Sequence, residues 1–201
     1  MIQLNSSLRA PTTLLTITCA FLCGGLLGAE ETDGAKTKSI QVDGLTLNVP
    51  ATWKQEEPKS KMRLTQFRLL APEGEEADGE LAVFSFGGGA NIDANLRRWI
   101  SQFQSDGREV SITSGTGTQG KYVFLDVSGT YNKPDGPPIR RKTVPAPDYR
   151  MLCAIQLMEQ EGIFFIKATA SRETMAIHVD AFRNSFGAAD PSTEKGLQVG
   201  E

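Results

Sequence analysis

The sequence has few of the side chains that catalyse reactions or bind metals. It contains one histidine, His178, and three cysteines, of which only Cys153 lies outside the N-terminal apolar run. A zinc site needs a cluster of three or four nitrogen, sulfur or oxygen ligands, and one histidine with one thiol cannot form the usual kind. Cys153 lies in the apolar segment MLCAIQLM, where thiols are usually inert packing groups. We therefore predict no catalytic residue, no metal site and no cofactor.

Sequence signatures of common enzymes and nucleotide-binding proteins are also missing. No G-x-S-x-G nucleophile elbow occurs, and no Lys-Ser or Lys-Thr pair follows the triple glycine Gly87–Gly89. We interpret these glycines as a tight strand-to-helix turn, with a phosphate site as the alternative. The acidic loop at 73–79 lacks an EF-hand pattern, so we interpret it as a solvated loop and not as a calcium site. His178 stands beside an apolar helical stripe, which is typical of a packed histidine.

Residues 1–29 have the pattern of a secretory signal peptide. Arg9 is the only charged side chain before Glu30, and an uncharged, largely apolar run follows it. We predict cleavage before Glu30 and export to the periplasm, the cell envelope or the extracellular space. An uncleaved N-terminal membrane anchor is the alternative. Lipidation at Cys19 or Cys23 is a further alternative, although neither follows the small residue that a lipobox needs.

The net charge of the chain indicates which class of partner it can bind. The chain carries a formal net charge of −3 at pH 7. Nucleic-acid binding depends on basic patches that neutralise phosphates, so we predict no nucleic-acid partner. We predict membrane contact only through residues 1–29, if they stay uncleaved.

The rest of the chain is organised as one domain. We predict a polar flexible spacer at 30–38, a single domain at 39–187 and a disordered tail at 188–201. Asp43-Gly44 between alternating apolar residues predicts a β-hairpin. The segments 151–158 and 163–170 are apolar at nearly every position and predict two central strands covered on both faces. Other strands are predicted at 65–70, 80–86, 108–114 and 120–131.

Two segments have the apolar spacing of amphipathic helices. The first stripe comprises Ile92, Leu96, Trp99, Ile100 and Phe103. The second comprises Met175, Val179, Phe182 and Phe186, with Ser171 as its cap and Gly187 at its end. Each helix must cover one face of a sheet. The predicted fold class is therefore α+β, with a mainly antiparallel sheet sandwiched between helices.

Four segments resemble PsbP-like domains. LTLNVPATWK is similar to their strand-Pro-x-x-Trp opening, and GELAVFSFGGGANIDANLRRWISQF is similar to their strand, glycine turn and Asn-x-x-Arg-Trp-x-x-Gln-Phe helix. Gly162-Ile-Phe-Phe-Ile-Lys and Phe182-Arg-Asn-Ser-Phe186 are similar to their closing strand and helix. The resemblance covers residues 40–187 and is nearest to exported bacterial proteins of unassigned function. It implies a sheet between helices and relatives that are binding and assembly factors, not enzymes, but a fold alone does not transfer a function.

Two features are candidates for binding. Asn95, Arg98 and Gln102 line one edge of the first predicted helix beside Trp99. They form either a binding edge or a set of contacts that pin neighbouring loops.

The second candidate is the segment 132–148, which departs from the PsbP-like pattern. It holds five of the ten prolines and the cations Arg140, Arg141 and Lys142. Such a segment is extended and low in conformational entropy, which suits docking to a partner. The alternative is a stiff surface loop between two strands.

We predict an exported, non-enzymatic domain that binds or helps assemble a protein partner or an envelope component. The alternative is a small-ligand carrier, or an enzyme with a cleft that the sequence does not reveal. A deep pocket with converging ionisable groups would favour the alternative.

Overall fold

The structure is a computed structural model, and it describes residues 36–75, 77–85, 89–136, 140 and 142–198. The predicted signal peptide, most of the predicted spacer, two of the three glycines of the Gly87–Gly89 turn, and Arg141 lie outside the described residues. Within those ranges, no helix is both long enough and apolar enough to cross a membrane.

An antiparallel sheet of eight strands dominates the domain. Its strands, in chain order, are β3 (Lys54–Glu56), β4 (Thr65–Leu69), β5 (Gly79–Ser85), β6 (Glu109–Gly117), β7 (Gly120–Pro134), β8 (Thr143–Met158), β9 (Gly162–Ser171) and β10 (Lys195–Gly196). Their order across the sheet is β10-β6-β7-β8-β9-β5-β4-β3. The strands β8 and β9 are central in this order, and residues 151–156 and 164–166 are buried on both faces, as predicted.

A separate hairpin joins β1 (Thr37–Val42) to β2 (Leu45–Pro50). The turn residues Asp43 and Gly44 have φ angles of 48° and 93°. Two consecutive positive φ angles match the right-handed twist of a two-residue hairpin, and Asp-Gly adopts them readily. The predicted hairpin is confirmed.

Side chains from the two faces of the sheet enter two separate cores. The first, which we call the hairpin core, includes Leu152, Ala154, Phe164 and Ile166 of the central strands. The second, the α1 core, includes Met151, Cys153, Ile155 and Phe165. This alternation follows from the two-residue period of a strand, which sends neighbours to opposite faces.

The two faces have different covers. The helix α1 (Ile92–Ile100) covers one face with Leu96 and Trp99, and Phe103 follows in the same core. The other face is covered by the β1–β2 hairpin together with α2 (Arg172–Ala176) and α3 (Val179–Ser185). The fold is thus α+β and dominated by its sheet, and a β-hairpin shares the second cover with the helices.

The last helix was predicted as one element, but it is split at His178. Trp53 donates its indole N–H to Nδ1 of His178 over 3.2 Å, and Nε2 lies 2.9 Å from the carbonyl oxygen of Leu70. Because an indole can only donate, Nδ1 is the acceptor and the proton resides on Nε2. Both bonds leave the helix, and they hold His178 as a buried, neutral packing residue between α2 and α3.

The C-terminal tail was predicted to be disordered, but part of it is docked on the sheet. Residues 191–193 form a short 3-10 helix, and β10 pairs with Thr113 and Ser114 of β6. The Glu194 carboxylate is paired with Arg183 and accepts hydrogen bonds from Tyr122 (2.5 Å) and Thr113 (2.6 Å). Since the partners lie far away in the sequence, the local polarity of the tail gave no indication of this contact.

We predict that Glu194→Gln lowers the free energy of unfolding at pH 7 by about 3 kcal/mol, because it leaves the buried Arg183 cation without its counter-charge. Burial opposes ionisation of Glu194, but hydrogen bonds from Thr113, Tyr122 and Arg183 outweigh it and place its pKa below the ordinary value. The contribution of this carboxylate is therefore complete above about pH 4.3 and is lost as the pH falls through the lowered pKa.

Urea melts at neutral and at acid pH test this prediction. The difference between the unsubstituted protein and Glu194→Gln should shrink on acidification. The exposed Glu57 provides a matched control, and Glu57→Gln should change stability by less than about 0.5 kcal/mol. A difference that stays constant down to acid pH would contradict the assignment.

Candidate functional site

The helix α1 starts at a side-chain cap and buries one face. Asn91 accepts a hydrogen bond from the Ala94 backbone N–H over 2.9 Å, which satisfies one of the free donors of the first turn. Trp99 packs edge to face on Phe165 of β9, with ring centroids 5.8 Å apart. The predicted burial of Trp99 and Phe103 is confirmed. This packing fixes the position of the polar edge of the helix relative to the sheet.

A cavity of about 150 Å³ lies between α1 and the strands β5 and β9. Three of the four residues predicted on the helix line it: Arg98, Trp99 and Gln102. Its other lining residues are Met62, Phe84, Phe165 and Lys167. We call this space the α1 cavity.

Asn95 does not line the cavity but positions a residue that does. Its Oδ1 accepts a hydrogen bond from Nη2 of Arg98 over 2.6 Å, and its own amide donates to the Asn91 carbonyl over 2.8 Å. The i, i+3 spacing on a helix places Asn95 and Arg98 side by side. Asn95 therefore ties the guanidinium to the helix surface at the cavity wall.

Lys167 is the residue of this site that the sequence reasoning missed. It lies on β9 two positions after Phe165, so both side chains project from the same face of the strand. Nζ donates to Oε1 of Gln102 over 2.7 Å. The available signal was a lysine in the middle of the otherwise apolar strand GIFFIKATAS, since a charge on a strand covered on both faces is costly.

The electrostatics of the α1 cavity are dominated by cations. Neither Arg98 nor Lys167 forms an ion pair with any carboxylate in the part of the chain that the structure describes. Burial is the largest effect on the pKa of Lys167 and lowers it; the positive charges of Arg98 and Arg63 also lower it, whereas Cys153 and Glu80 act in the opposite direction. The nearby Glu80 carboxylate is paired with Lys59 and Arg63. The cavity thus holds positive charge without a matching anion.

The proline-rich segment is largely strand and not loop. Strands β7 and β8 continue past the predicted ends at 131 and 151, and they pair from Tyr131↔Ala146 to Pro134↔Thr143. We call these paired residues and their connection, 131–146, the ribbon. Asn132 of the ribbon donates its N–H to the Gln102 carbonyl over 2.8 Å. Pro145 and Pro147 lie on β8, where no strand of the described residues pairs with this stretch on its other side, and prolines are tolerated at such edges.

Of the three predicted cations of the ribbon, Arg140 and Lys142 have different environments, and Arg141 lies outside the described residues. Arg140 is exposed, and Lys142 is exposed but paired with Asp135 across the ribbon. Lys133 lies over the ring of Tyr149 at 5.5 Å. The structure does not bring these cations to the α1 cavity, so the two predicted binding features are two separate surfaces.

Other cavities do not contain the predicted residues. One of them, of about 620 Å³, lies at the turns of the β6–β7 and β8–β9 hairpins and includes Lys121, Glu159 and Glu161. A cavity of about 330 Å³ surrounds Arg150, which is already neutralised by a bidentate contact with Asp126.

Neither the buried thiol nor the acidic side chains of the described residues form a thiolate or metal site. Burial raises the pKa of Cys153 to about 12, so this thiol is protonated at neutral pH. Among the described residues, no three His, Cys, Asp or Glu side chains are grouped so that they could hold a metal ion.

Comparisons with known proteins concern the fold alone. No protein-family model matches the chain, and no curated protein sequence matches it. The chain is similar to the solution structure of cyanobacterial PsbP (CyanoP) from Synechocystis sp. PCC 6803, with 13% sequence identity and a TM-score of 0.47. The match covers 86% of this chain and 100% of that one.

We predict that Lys167→Met raises the free energy of unfolding at neutral pH by about 1 kcal/mol, because it removes a poorly solvated charge. A lysine with a lowered pKa in the folded state binds fewer protons there than in the unfolded chain. The cost of the charge therefore diminishes as the pH rises towards the unfolded value of about 10.4. Urea melts should show the advantage of Lys167→Met shrinking between neutral and alkaline pH, and a destabilised variant would indicate that Lys167 is needed for the fold.

Proposed function

We propose that the chain is an exported, non-enzymatic domain that binds an acidic protein partner through the ribbon. The observation that carries the proposal is the extension of β7 and β8 beyond their neighbours. The pairing of β7 with β6 ends at Ser128, and the pairing of β8 with β9 ends at Tyr149. The ribbon therefore projects from the sheet, supported on one side by residues 102–104.

The surface chemistry of the ribbon supports an acidic partner. Residues 131–149 carry four cations against two anions, on a chain whose formal net charge is −3. Lys133, Arg140 and Lys142 are exposed, and Val144 adds an apolar side chain that is 41% exposed. The paired residues 131–134 and 143–146 of the ribbon lose little conformational entropy on docking, and its cations steer an acidic surface towards it.

Export is the second part of the proposal, and the signal-like pattern of residues 1–29 supports it. We predict that the native protein lacks these residues and begins near Glu30. Intact-mass measurement of protein isolated from its native cells tests this. A mass that includes residues 1–29, recovered with the membranes, would replace cleavage by anchoring.

Affinity capture from the native envelope fraction tests the docking role. Substitution of Arg140, Arg141 and Lys142 by serine should reduce recovery of the captured partners and flatten its dependence on salt, because exposed charges act through screened attraction. Stability should change by less than about 0.5 kcal/mol per site.

The matched control removes the same charge elsewhere. Lys36, Lys38 and Lys61 are exposed and lie outside the ribbon. Their substitution by serine should leave recovery unchanged. Equal recovery by both triple variants would overturn the docking role of the ribbon.

A further inference from the structure

The α1 cavity has an apolar wall and a cationic wall. The rings of Phe84, Trp99 and Phe165 and the side chain of Met62 supply the first. Arg98 and Lys167 supply the second, and Lys167 donates a hydrogen bond to the Gln102 amide oxygen. A few placed polar groups in a largely apolar recess are the usual composition of a small-molecule site.

The cationic wall has unused hydrogen-bond donors. Lys167 has three N–H donors, and Gln102 accepts from one of them. Arg98 has five, and Asn95 accepts from one within the described residues. Both groups also lack a carboxylate partner there. An anion in the cavity would therefore gain charge-assisted hydrogen bonds without having to displace an existing ion pair.

The partial burial of Lys167 gives a reason to expect an anion at this position. A lysine on a central strand is costly to bury, and an aliphatic residue there would extend the α1 core at no such cost. The contact with Gln102 supplies a neutral acceptor but no charge. A bound anion would supply the missing charge and would restore the pKa of Lys167 towards its ordinary value.

The volume limits the size of the ligand. The cavity measures about 150 Å³, which is close to the volume that accommodates benzene in an engineered protein cavity. Three aromatic side chains on its wall favour a flat apolar group, which they can contact edge to face or in an offset stack.

We propose that the α1 cavity binds a small organic acid, whose carboxylate contacts Lys167 and Arg98 and whose apolar part, about the size of a benzene ring, contacts Trp99, Phe84 and Phe165. This site is separate from the ribbon and does not depend on the docking role proposed for it. The domain would then carry a small ligand in addition to binding a partner.

Benzoate titration of the full chain labelled with 5-fluorotryptophan tests the site. The chain has two tryptophans. Trp99 lines the cavity, whereas Trp53 lies in the hairpin core on the opposite face of the sheet. Fluorine NMR should show a saturable shift of the Trp99 signal in the millimolar range or below, with the Trp53 signal unmoved. No saturable shift in that range would overturn the proposal.

The chemistry of the ligand is tested with two analogues of the same size. Benzamide keeps the ring and loses the charge, and benzylamine replaces the anion by a cation. Both should bind at least about tenfold more weakly than benzoate. Equal binding of benzoate and benzamide would show that the cationic wall does not recognise the ligand, and it would overturn the proposal.

Two lysine variants locate the binding. Lys167→Met should weaken benzoate binding at least about tenfold, because it removes a charged donor from the cavity and leaves the ring contacts in place. Lys121→Met is the matched control, since Lys121 lines the separate cavity of about 620 Å³, and it should leave the affinity unchanged. Loss of binding with Lys121→Met, or its retention with Lys167→Met, would overturn the assignment.

The source of the carboxylate is tested separately by partner capture. If the ligand is a small acid, Lys167→Met should recover the same partners as the unsubstituted chain. Loss of the partners by Lys167→Met would show that the cavity receives an acidic side chain of the partner. It would overturn the small-acid assignment. The docking role of the ribbon would still be tested by the triple variant of Arg140, Arg141 and Lys142.

Discussion

The central strands β8 and β9 bury side chains on both of their faces, and most of the remaining structure serves to cover them. Residues that alternate along each strand enter either the hairpin core or the α1 core. Each core needs its own cover because exposed apolar area is costly, at roughly 25 cal/mol per Å². The β1–β2 hairpin with α2 and α3 supplies one cover, and α1 supplies the other.

The two covers differ in how completely they shield the sheet and its polar groups from solvent. Around the hairpin core, His178 and Glu194 satisfy buried polar groups through partners that are distant in the sequence. On the other face, the nine-residue helix α1 covers part of the sheet. Lys167 lies beside Trp99 in the cavity wall, and its hydrogen-bond partner within the described residues is the neutral amide of Gln102. The α1 cavity is thus the place where the second cover remains incomplete and positively charged.

The ribbon and the α1 cavity are joined through the backbone of residues 102–104. The side-chain oxygen of Gln102 accepts a hydrogen bond from Nζ of Lys167, and its backbone carbonyl accepts one from the N–H of Asn132 in the ribbon. Phe103 packs against Tyr131 with ring centroids 5.2 Å apart. The end of α1 therefore supports both proposed surfaces, although each uses different charged side chains.

Local periodicity in the sequence was enough to predict three elements: the Asp43-Gly44 hairpin, the buried stripe of α1 and the two apolar central strands. It also indicated Arg98, Trp99 and Gln102 as neighbours, since helical spacing places them on adjacent faces. Three other features could be seen only in the tertiary structure: Lys167 completes their cavity, β7 and β8 extend into a ribbon, and Glu194 docks the tail on the sheet. These three features depend on which distant segments pair and on which charges burial leaves without a counter-ion, and neither is encoded in the period of a single segment.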